Sequence, residues 1–193
     1  MHSLTTFKAT INRYTTISAQ DWALFSAKAT RRTLSKGEKL IDAGVVCNKM
    51  WYVAQGLIGY YQYDAHKAQQ KATCFAMEHH FSTPFTSYLT GAPTHEILVA
   101  LEPCRMVEMQ KHDFQHFVET MPSINSMYRQ VLEEAYLHME KLNYMLQQST
   151  ATERYQKLIL EDAPHMLQRV PLIYLASYLG ISPETLSRVR ARV

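Results

Sequence analysis

The spacing of apolar residues divides the chain into a helical beginning, a strand-rich middle and a helical end. Up to about Thr33 a helical period prevails, and Ser18–Asp21 has the polar character of a helix start. From Leu34 onward, short apolar runs separated by turn residues predict strands in 50–53, 57–61, 72–75, 96–101 and 105–109. Gln55-Gly56 is expected to close a tight hairpin, and Asp64–Lys67 a second turn. Strands of this length and spacing indicate a small antiparallel barrel or roll.

After Pro122 the apolar positions change to alternating steps of three and four residues, which is typical of a long amphipathic helix. One stripe consists of Ile124, Tyr128, Val131, Ala135, His138, Leu142 and Met145. A neighbouring stripe consists of Leu132, Ala135, Met139, Leu142 and Leu146. A helix of about seven turns with two such stripes can pack on its own barrel and on a partner helix. Burial wholly within its own chain is the alternative, and His138 would weaken a dimer seam or make it pH-sensitive.

The C-terminal pattern is that of short helices joined by tight turns. Thr150 and Glu153 have capping-box spacing and predict a helix start. Further on, apolar residues share one face of each of two helices: Leu175, Ala176 and Leu179, then Leu186 and Val189. Between them Gly180 suits a positive φ, Ser182 can cap the second helix, and Pro183 suits its first position. This order predicts a DNA-binding helix-turn-helix; an ordinary helical hairpin packed in a core is the alternative.

Composition describes a globular protein with a mild positive charge. The 193 residues are 47% hydrophobic and 19% charged, with a formal net charge of +3 that does not by itself require a polyanionic partner. The position of the charge says more, because no acidic residue follows Leu186 while three arginines do: Arg188, Arg190 and Arg192. A cationic helix end after a helix-turn-helix suits phosphate contacts.

Cysteine usage and the N-terminus bear on the compartment. The cysteines, Cys47, Cys74 and Cys104, lie far apart and fit neither a zinc motif nor a disulfide framework, which predicts free thiols in a reducing environment. The first residues lack the basic flank and apolar block of a signal peptide, and no apolar run approaches membrane-spanning length. We therefore expect a cytoplasmic protein without a membrane partner.

Several motifs then point to one family. The strand-rich part carries a glycine framework consisting of Lys36–Leu40, Gly44, and Tyr52-Val53 followed by Gly56. The second C-terminal helix carries the pattern Glu-x-x-Ser-Arg at 184–188, and Glu153-Arg154-Tyr155 precedes the helix pair. In the order barrel, long helix, helix-turn-helix, these motifs resemble the Crp/Fnr superfamily of bacterial transcription regulators over nearly the whole chain. The reading-helix pattern resembles the anaerobic (fumarate and nitrate reduction) branch, and the compact form resembles regulators common in Bacteroidetes.

The resemblance implies an α+β protein in three parts. Residues 1–122 would form an antiparallel, jelly-roll-like β-roll sensor domain of the cyclic-nucleotide-binding type with N-terminal helices. Residues 123–148 would form a long dimerisation helix, and 149–193 a winged-type helix-turn-helix domain. The implied function is that of a homodimeric, one-component transcription regulator without enzymatic activity. Its implied partners are double-stranded DNA with a near-palindromic operator, a second copy of the chain, RNA polymerase as a candidate, and a small-molecule effector that the sequence does not identify.

Residue chemistry supports DNA reading independently of the resemblance. Glu184, Ser187 and Arg188 lie three and four positions apart and project from one helix face. Arginine can donate two hydrogen bonds to guanine, and glutamate can accept one from cytosine. Glu184 and Arg188 could also brace each other as a helical ion pair, which is compatible with reading. The candidate DNA contacts are Ser182, Pro183, Glu184, Thr185, Ser187, Arg188, Arg190, Arg192 and Arg169, with Pro183 standing where family members carry arginine.

The barrel lacks the arginine with which relatives that sense cyclic AMP hold the cyclic phosphate. No arginine occurs between Arg32 and Arg105, and Lys71 could substitute only as a point charge. Cyclic AMP is therefore not expected as the effector. No cofactor is expected either, since there is no iron–sulfur cysteine cluster near the N-terminus and no haem signature. The candidate effector-pocket residues are Glu78, Thr94, His95, Glu96 and Tyr61.

Histidines in the barrel invite a different class of function. His79, His80 and His95, with Glu78 and Glu96, suggest a cupin-like barrel protein with metal-dependent or ligand-carrying activity, in which the C-terminal helices only pack. Adjacent histidines on a strand point to opposite faces, so His79 and His80 cannot both line a barrel. We therefore expect no metal site.

Overall fold

The computed structural model describes residues 2–64, 69–157 and 164–192. The helices are α1 (His2–Tyr14), α2 (Ala19–Ala27), α3 (Phe85–Thr90), α4 (Lys111–Thr120), α5 (Pro122–Gln148), α6 (Ala151–Lys157), α7 (Met166–Arg169), α8 (Leu172–Tyr178) and α9 (Pro183–Arg190). The strands are β1 (Thr30–Leu34), β2 (Lys39–Ile41), β3 (Lys49–Gln55), β4 (Ile58–Asp64), β5 (Gln69–Ala76), β6 (Phe81–Ser82), β7 (Glu96–Ala100) and β8 (Cys104–Gln110). The turn predicted at Asp64–Lys67 lies outside the described residues beyond Asp64.

The strands form two four-stranded sheets with the orders β1-β8-β3-β6 and β2-β7-β4-β5. In the first sheet, β8 is antiparallel to both of its neighbours. Glu108 of β8 lies opposite Thr30 of β1 on one side and opposite Trp51 of β3 on the other. The α+β class with antiparallel sheets and a long helix is thereby confirmed. The change from helix to strand comes earlier than predicted, since β1 begins at Thr30 rather than at Leu34.

The turn at Gly56 connects the two sheets. Because β3 and β4 belong to different sheets, the hairpin expected at Gln55-Gly56 is wrong. Gly56 has φ +103°, and a Cβ at this position would lie 2.6 Å from Cys104 Sγ. The position therefore requires glycine for its backbone conformation and for the close approach of β8.

Contacts divide the chain into two compact units. The first contains Met1–Tyr60 and Phe75–Glu133, and the second contains Tyr61–Cys74 and Glu134–Val193. The core of the first unit is an aromatic cluster in which Phe7 of α1 stacks on Tyr52 of β3 at a centroid distance of 4.7 Å. The Tyr52 hydroxyl lies 2.8 Å from Thr10 Oγ1, so α1 is joined to the sheet by packing and by a buried hydrogen bond.

The long helix α5 extends over nearly the predicted range and contributes to both units. Ile124 and Met127 are buried near its start, and Met145 near its end. In the single chain, every residue from Glu133 to Lys141 is exposed. After α5, the regular elements of 151–157 and 164–192 are helical, so the strands of a winged-type motif are not among them.

Candidate nucleic-acid interface

The two helices of the predicted reading motif have the expected core. Leu175, Ala176 and Leu179 are 0% exposed, and Leu186 and Val189 are buried with them. Helices α8 and α9 pack directly on each other, and α6 packs on α9. The apolar faces inferred from the sequence are therefore confirmed.

The turn between α8 and α9 is a Schellman motif. Gly180 has φ +66°, its N–H donates to the Ser177 carbonyl at 3.0 Å, and the Ile181 N–H donates to the Ala176 carbonyl at 3.0 Å. The carbonyl of Leu179, the C-cap residue of α8, accepts a hydrogen bond from Arg154 Nη1 at 2.9 Å. The predicted role of Gly180 is confirmed.

The start of α9 is fixed by its cap. Ser182 has extended backbone angles, and its Oγ accepts from the Thr185 N–H at 3.2 Å. Pro183 occupies the first turn, where no N–H is needed. Both predictions are confirmed, and together the cap and the proline fix the first turn of α9.

The outward face of α9 presents the predicted reading residues. Glu184, Ser187 and Arg188 are all exposed, opposite the buried Leu186 and Val189. This face combines a carboxylate acceptor, a hydroxyl and a guanidinium within two helical turns, and each of these groups can hydrogen-bond to base edges.

Arg188 and Glu184 are each held by a neighbouring hydroxyl. Arg188 Nη2 donates to Thr185 Oγ1 at 3.1 Å, and among the described side chains no ion pair within 4.0 Å joins Arg188 to Glu184. Hydrogen bonding to Ser182 and to its own N–H lowers the pKa of the Glu184 carboxyl, with a further contribution from the Arg188 charge. Glu184 is thus ionised at neutral pH and acts as an acceptor only.

The remaining candidate cations fall into two places. Arg190 and Arg192 are exposed at and just beyond the end of α9, where Arg188 is exposed as well, whereas Glu184 lies in the first turn of the helix. Arg169 is half-buried at the end of α7, on a different helix.

Arg154 of α6 is a residue that sequence reasoning noted only within a family motif. Its guanidinium is half-buried and bonds the carbonyls of Ser149 and Leu179 at 3.0 and 2.9 Å. In the sequence, no acidic residue lies three or four positions from Arg154, so no helical ion pair competes for the guanidinium. This spacing could have indicated that Arg154 bonds backbone carbonyls.

Three of the candidate effector-pocket residues, Glu78, Thr94 and Tyr61, have contacts within their own compact units. Glu78 Oε1 accepts from the Gly56 N–H at 2.8 Å. Thr94 is buried, and its carbonyl accepts from the Gly44 N–H at 2.8 Å. Tyr61 belongs to the second compact unit, where its ring lies 4.6 Å from that of Tyr174.

The Thr94 hydroxyl and the His79 ring near these candidates also have hydrogen-bond partners. The Thr94 hydroxyl accepts from the Glu96 N–H at 3.0 Å, and His95 is exposed. His79 has φ +70°, and its Nδ1 lies 2.9 Å from the Tyr52 hydroxyl. Within the described ranges, no group of three or more histidine, cysteine, aspartate or glutamate side chains is arranged to hold a metal ion.

Comparison with known proteins shows which folds this chain resembles. Residues 31–121 match the family model of the cyclic nucleotide-binding domain. FixK2 from Bradyrhizobium japonicum is 17% identical over 85% of this chain and 83% of its own, with a TM-score of 0.73. The c-di-GMP responsive global regulator CLP of Xanthomonas campestris is 18% identical over 91% of both chains, with a TM-score of 0.71. A CooA mutant from Carboxydothermus hydrogenoformans is 15% identical over 88% and 77%, with a TM-score of 0.70.

Residues 31–121 are thus similar to a cyclic nucleotide-binding domain, and a long helix and a helical C-terminal region follow them. The predicted Crp/Fnr resemblance is confirmed at the level of the fold, which this chain shares with FixK2 and CLP. No curated protein sequence matches the chain. In the part of the chain that the structure describes, no helix is both long and apolar enough to span a membrane.

Proposed function

We propose that this protein is a cytoplasmic, homodimeric transcription regulator of the Crp/Fnr type that binds double-stranded DNA sequence-specifically and has no enzymatic activity. The observation that carries the proposal is the exposed face of α9, with Glu184, Ser187 and Arg188 opposite a buried apolar face. A helix of this kind, preceded by a packed first helix and a tight turn, can enter the major groove and read base edges.

The exposed middle of α5 supports the homodimer. Tyr136 and Met139 are 68% and 69% exposed, and Leu132 and Ala135 lie on the same side at helical spacing. Large apolar side chains exposed along one helix face suit a second copy of that helix. Two copies joined there would place two reading helices about 34 Å apart on a near-palindromic operator.

The sensor domain is proposed to respond to an effector other than cyclic AMP. Its segment between Arg32 and Arg105 has no arginine, and the carboxylate of Glu78 already holds a backbone N–H. A cyclic phosphate would therefore lack a bidentate cation. Calorimetric titration with cyclic AMP tests this exclusion, and micromolar affinity would contradict it.

Selection from a random DNA pool, followed by two arginine variants, tests the proposed function. Arg188→Ala should cost about 1–3 kcal/mol and relax preference at one position of each half-site. Arg192→Ala should weaken binding uniformly across sequences and reduce the salt slope by about one. Arg31→Ala, which removes an exposed arginine from β1, is the control and should change neither.

The outcome can also favour the other class of function. If the purified protein binds no duplex even at low salt and carries stoichiometric metal, the proposal fails. The cupin-like alternative, in which the C-terminal helices only pack, would then stand.

A further inference from the structure

Arg154 joins the C-terminal ends of two helices. Its Nε donates to the carbonyl of Ser149, the residue that follows α5, at 3.0 Å. Its Nη1 donates to the carbonyl of Leu179, the C-cap of α8, at 2.9 Å. A single planar guanidinium therefore connects the end of the long helix to the turn of the helix-turn-helix.

Both carbonyls lie at helix ends, where backbone acceptors lack partners within the helix. At the end of α8 the Schellman bonds use the carbonyls of Ala176 and Ser177, and Leu179 relies on Arg154. The positive charge also lies at the negative ends of two helix dipoles. These are charge-assisted hydrogen bonds, which are roughly twice as strong as neutral ones.

The surroundings hold this guanidinium in place. A Cβ on Gly180 would lie 3.2 Å from Arg154 Nη1 and 3.3 Å from Leu146 Cδ2, so the glycine leaves room for the contact. The backbone of Arg154 is also fixed, because its N–H donates to the Thr150 carbonyl at 2.9 Å. Thr150 in turn forms a capping box with Glu153, in which the Thr150 N–H donates to Glu153 Oε2 at 2.7 Å.

We propose that Arg154 is a positioning residue that fixes the angle of the reading helix to the long helix and so sets the half-site spacing that the dimer accepts. This inference rests on the proposed function. Lysine at this position would keep the charge but could not reproduce the fork that reaches two carbonyls. With the joint loosened, α9 would keep its fold and its reading face but take a wider range of orientations.

The test compares the full-length wild type with Arg154→Met and Arg154→Lys on three kinds of duplex. These are the selected operator, the same operator with one base pair added or removed between half-sites, and a single half-site. Arg154→Met should lower affinity for the selected operator about tenfold, as expected for two lost charge-assisted bonds. It should leave half-site affinity within about twofold and flatten the preference for spacing. Arg154→Lys should flatten the preference for spacing partly. Arg31→Met, the control, should leave that preference unchanged.

Each result decides between the inference and its alternatives. A wild-type spacing preference in both Arg154 variants would overturn the inference, as would an equal loss on half-site and operator. If Arg154→Met fails to fold, as judged by circular dichroism, Arg154→Lys alone decides by the same criterion. If the wild type itself binds no selected duplex, the proposed function has failed rather than this assignment.

Discussion

Glu108 shows at the scale of a single residue how a carboxylate is held within the strand-rich unit. It lies on β8, where Oε1 accepts from Lys49 Nζ at 2.7 Å and Oε2 from the Trp51 indole N–H at 2.8 Å. Burial raises the pKa of Glu108, but hydrogen bonds from Lys49 and Trp51, with the charges of Lys49 and Arg32, outweigh it. The folded pKa is therefore below the ordinary value for glutamate.

A depressed folded pKa makes the contribution of Glu108 to stability pH-dependent. This contribution is complete above the unfolded pKa of about 4.3 and is lost as the pH falls through the folded pKa. Glu108→Gln should lower the free energy of unfolding by about 1 kcal/mol at neutral pH, a modest figure because the pair is partly solvated. Urea unfolding at neutral and acid pH should show the difference shrinking as the pH falls. Glu119→Gln, at an exposed carboxylate, is the control, and a constant difference would contradict the assignment.

Residue roles were predictable where the partners are close in the sequence. Gly180 and Ser182 were found because a turn and a cap need only the residues within one helical turn. The bonds of Glu108 to Trp51 and of Arg154 to Leu179 span 57 and 25 positions, so only the folded chain brings them together. A sequence pattern identifies such residues as polar or charged but does not identify their partners.

At the scale of elements, the end of β4 and the start of β5 contact α8 within the second compact unit. The Ala72 N–H donates to Ser177 Oγ at 2.9 Å, and the rings of Tyr61 and Tyr174 lie 4.6 Å apart. The Tyr61 hydroxyl is buried with no hydrogen-bond partner among the described residues. Burial, with the nearby Tyr174 adding to it, raises the pKa of this phenol.

Two substitutions at this contact should have opposite effects. Tyr61→Phe removes the unpartnered hydroxyl and should raise the free energy of unfolding by about 1 kcal/mol. Ser177→Ala removes the acceptor for the Ala72 N–H and should lower it by about 1–2 kcal/mol. Tyr63→Phe, on the same strand but 64% exposed, is the matched control and should be neutral. Urea unfolding measures all three, and destabilisation by Tyr61→Phe would show that the hydroxyl is satisfied in solution.

Elements were more predictable than their pairing. Several strands and the long helix follow from local periodicity, which depends on neighbouring residues alone. The assignment of β3 and β4 to one hairpin was wrong because β3 pairs with β6 and β8, which both follow β4 in the sequence. The turn at Gly56 is tight for a different reason, the approach of Cys104, which no local pattern records.

At the scale of the whole molecule, the exposed middle of α5 gives the sharpest test of assembly. Met139 and Leu137 are 69% and 61% exposed, yet at 3.6 residues per turn they point to nearly opposite sides of the helix. Met139 lies with Leu132, Ala135 and Tyr136 on the face proposed to meet a second copy, whereas Leu137 does not.

Met139→Lys should therefore convert the dimer to a monomer, because it places a charge in an apolar seam of two helices. Sedimentation equilibrium measures the dissociation constant, which should rise at least about a hundredfold if burying the charge costs 3 kcal/mol or more. Leu137→Lys is the matched control: it adds the same charge two residues away and should leave the dissociation constant unchanged. If Leu137→Lys dissociates the dimer and Met139→Lys does not, the seam lies on the other face of α5. If the wild type is monomeric throughout, the joint fixed by Arg154 could not set a spacing between half-sites, and the regulator would have to read one half-site at a time.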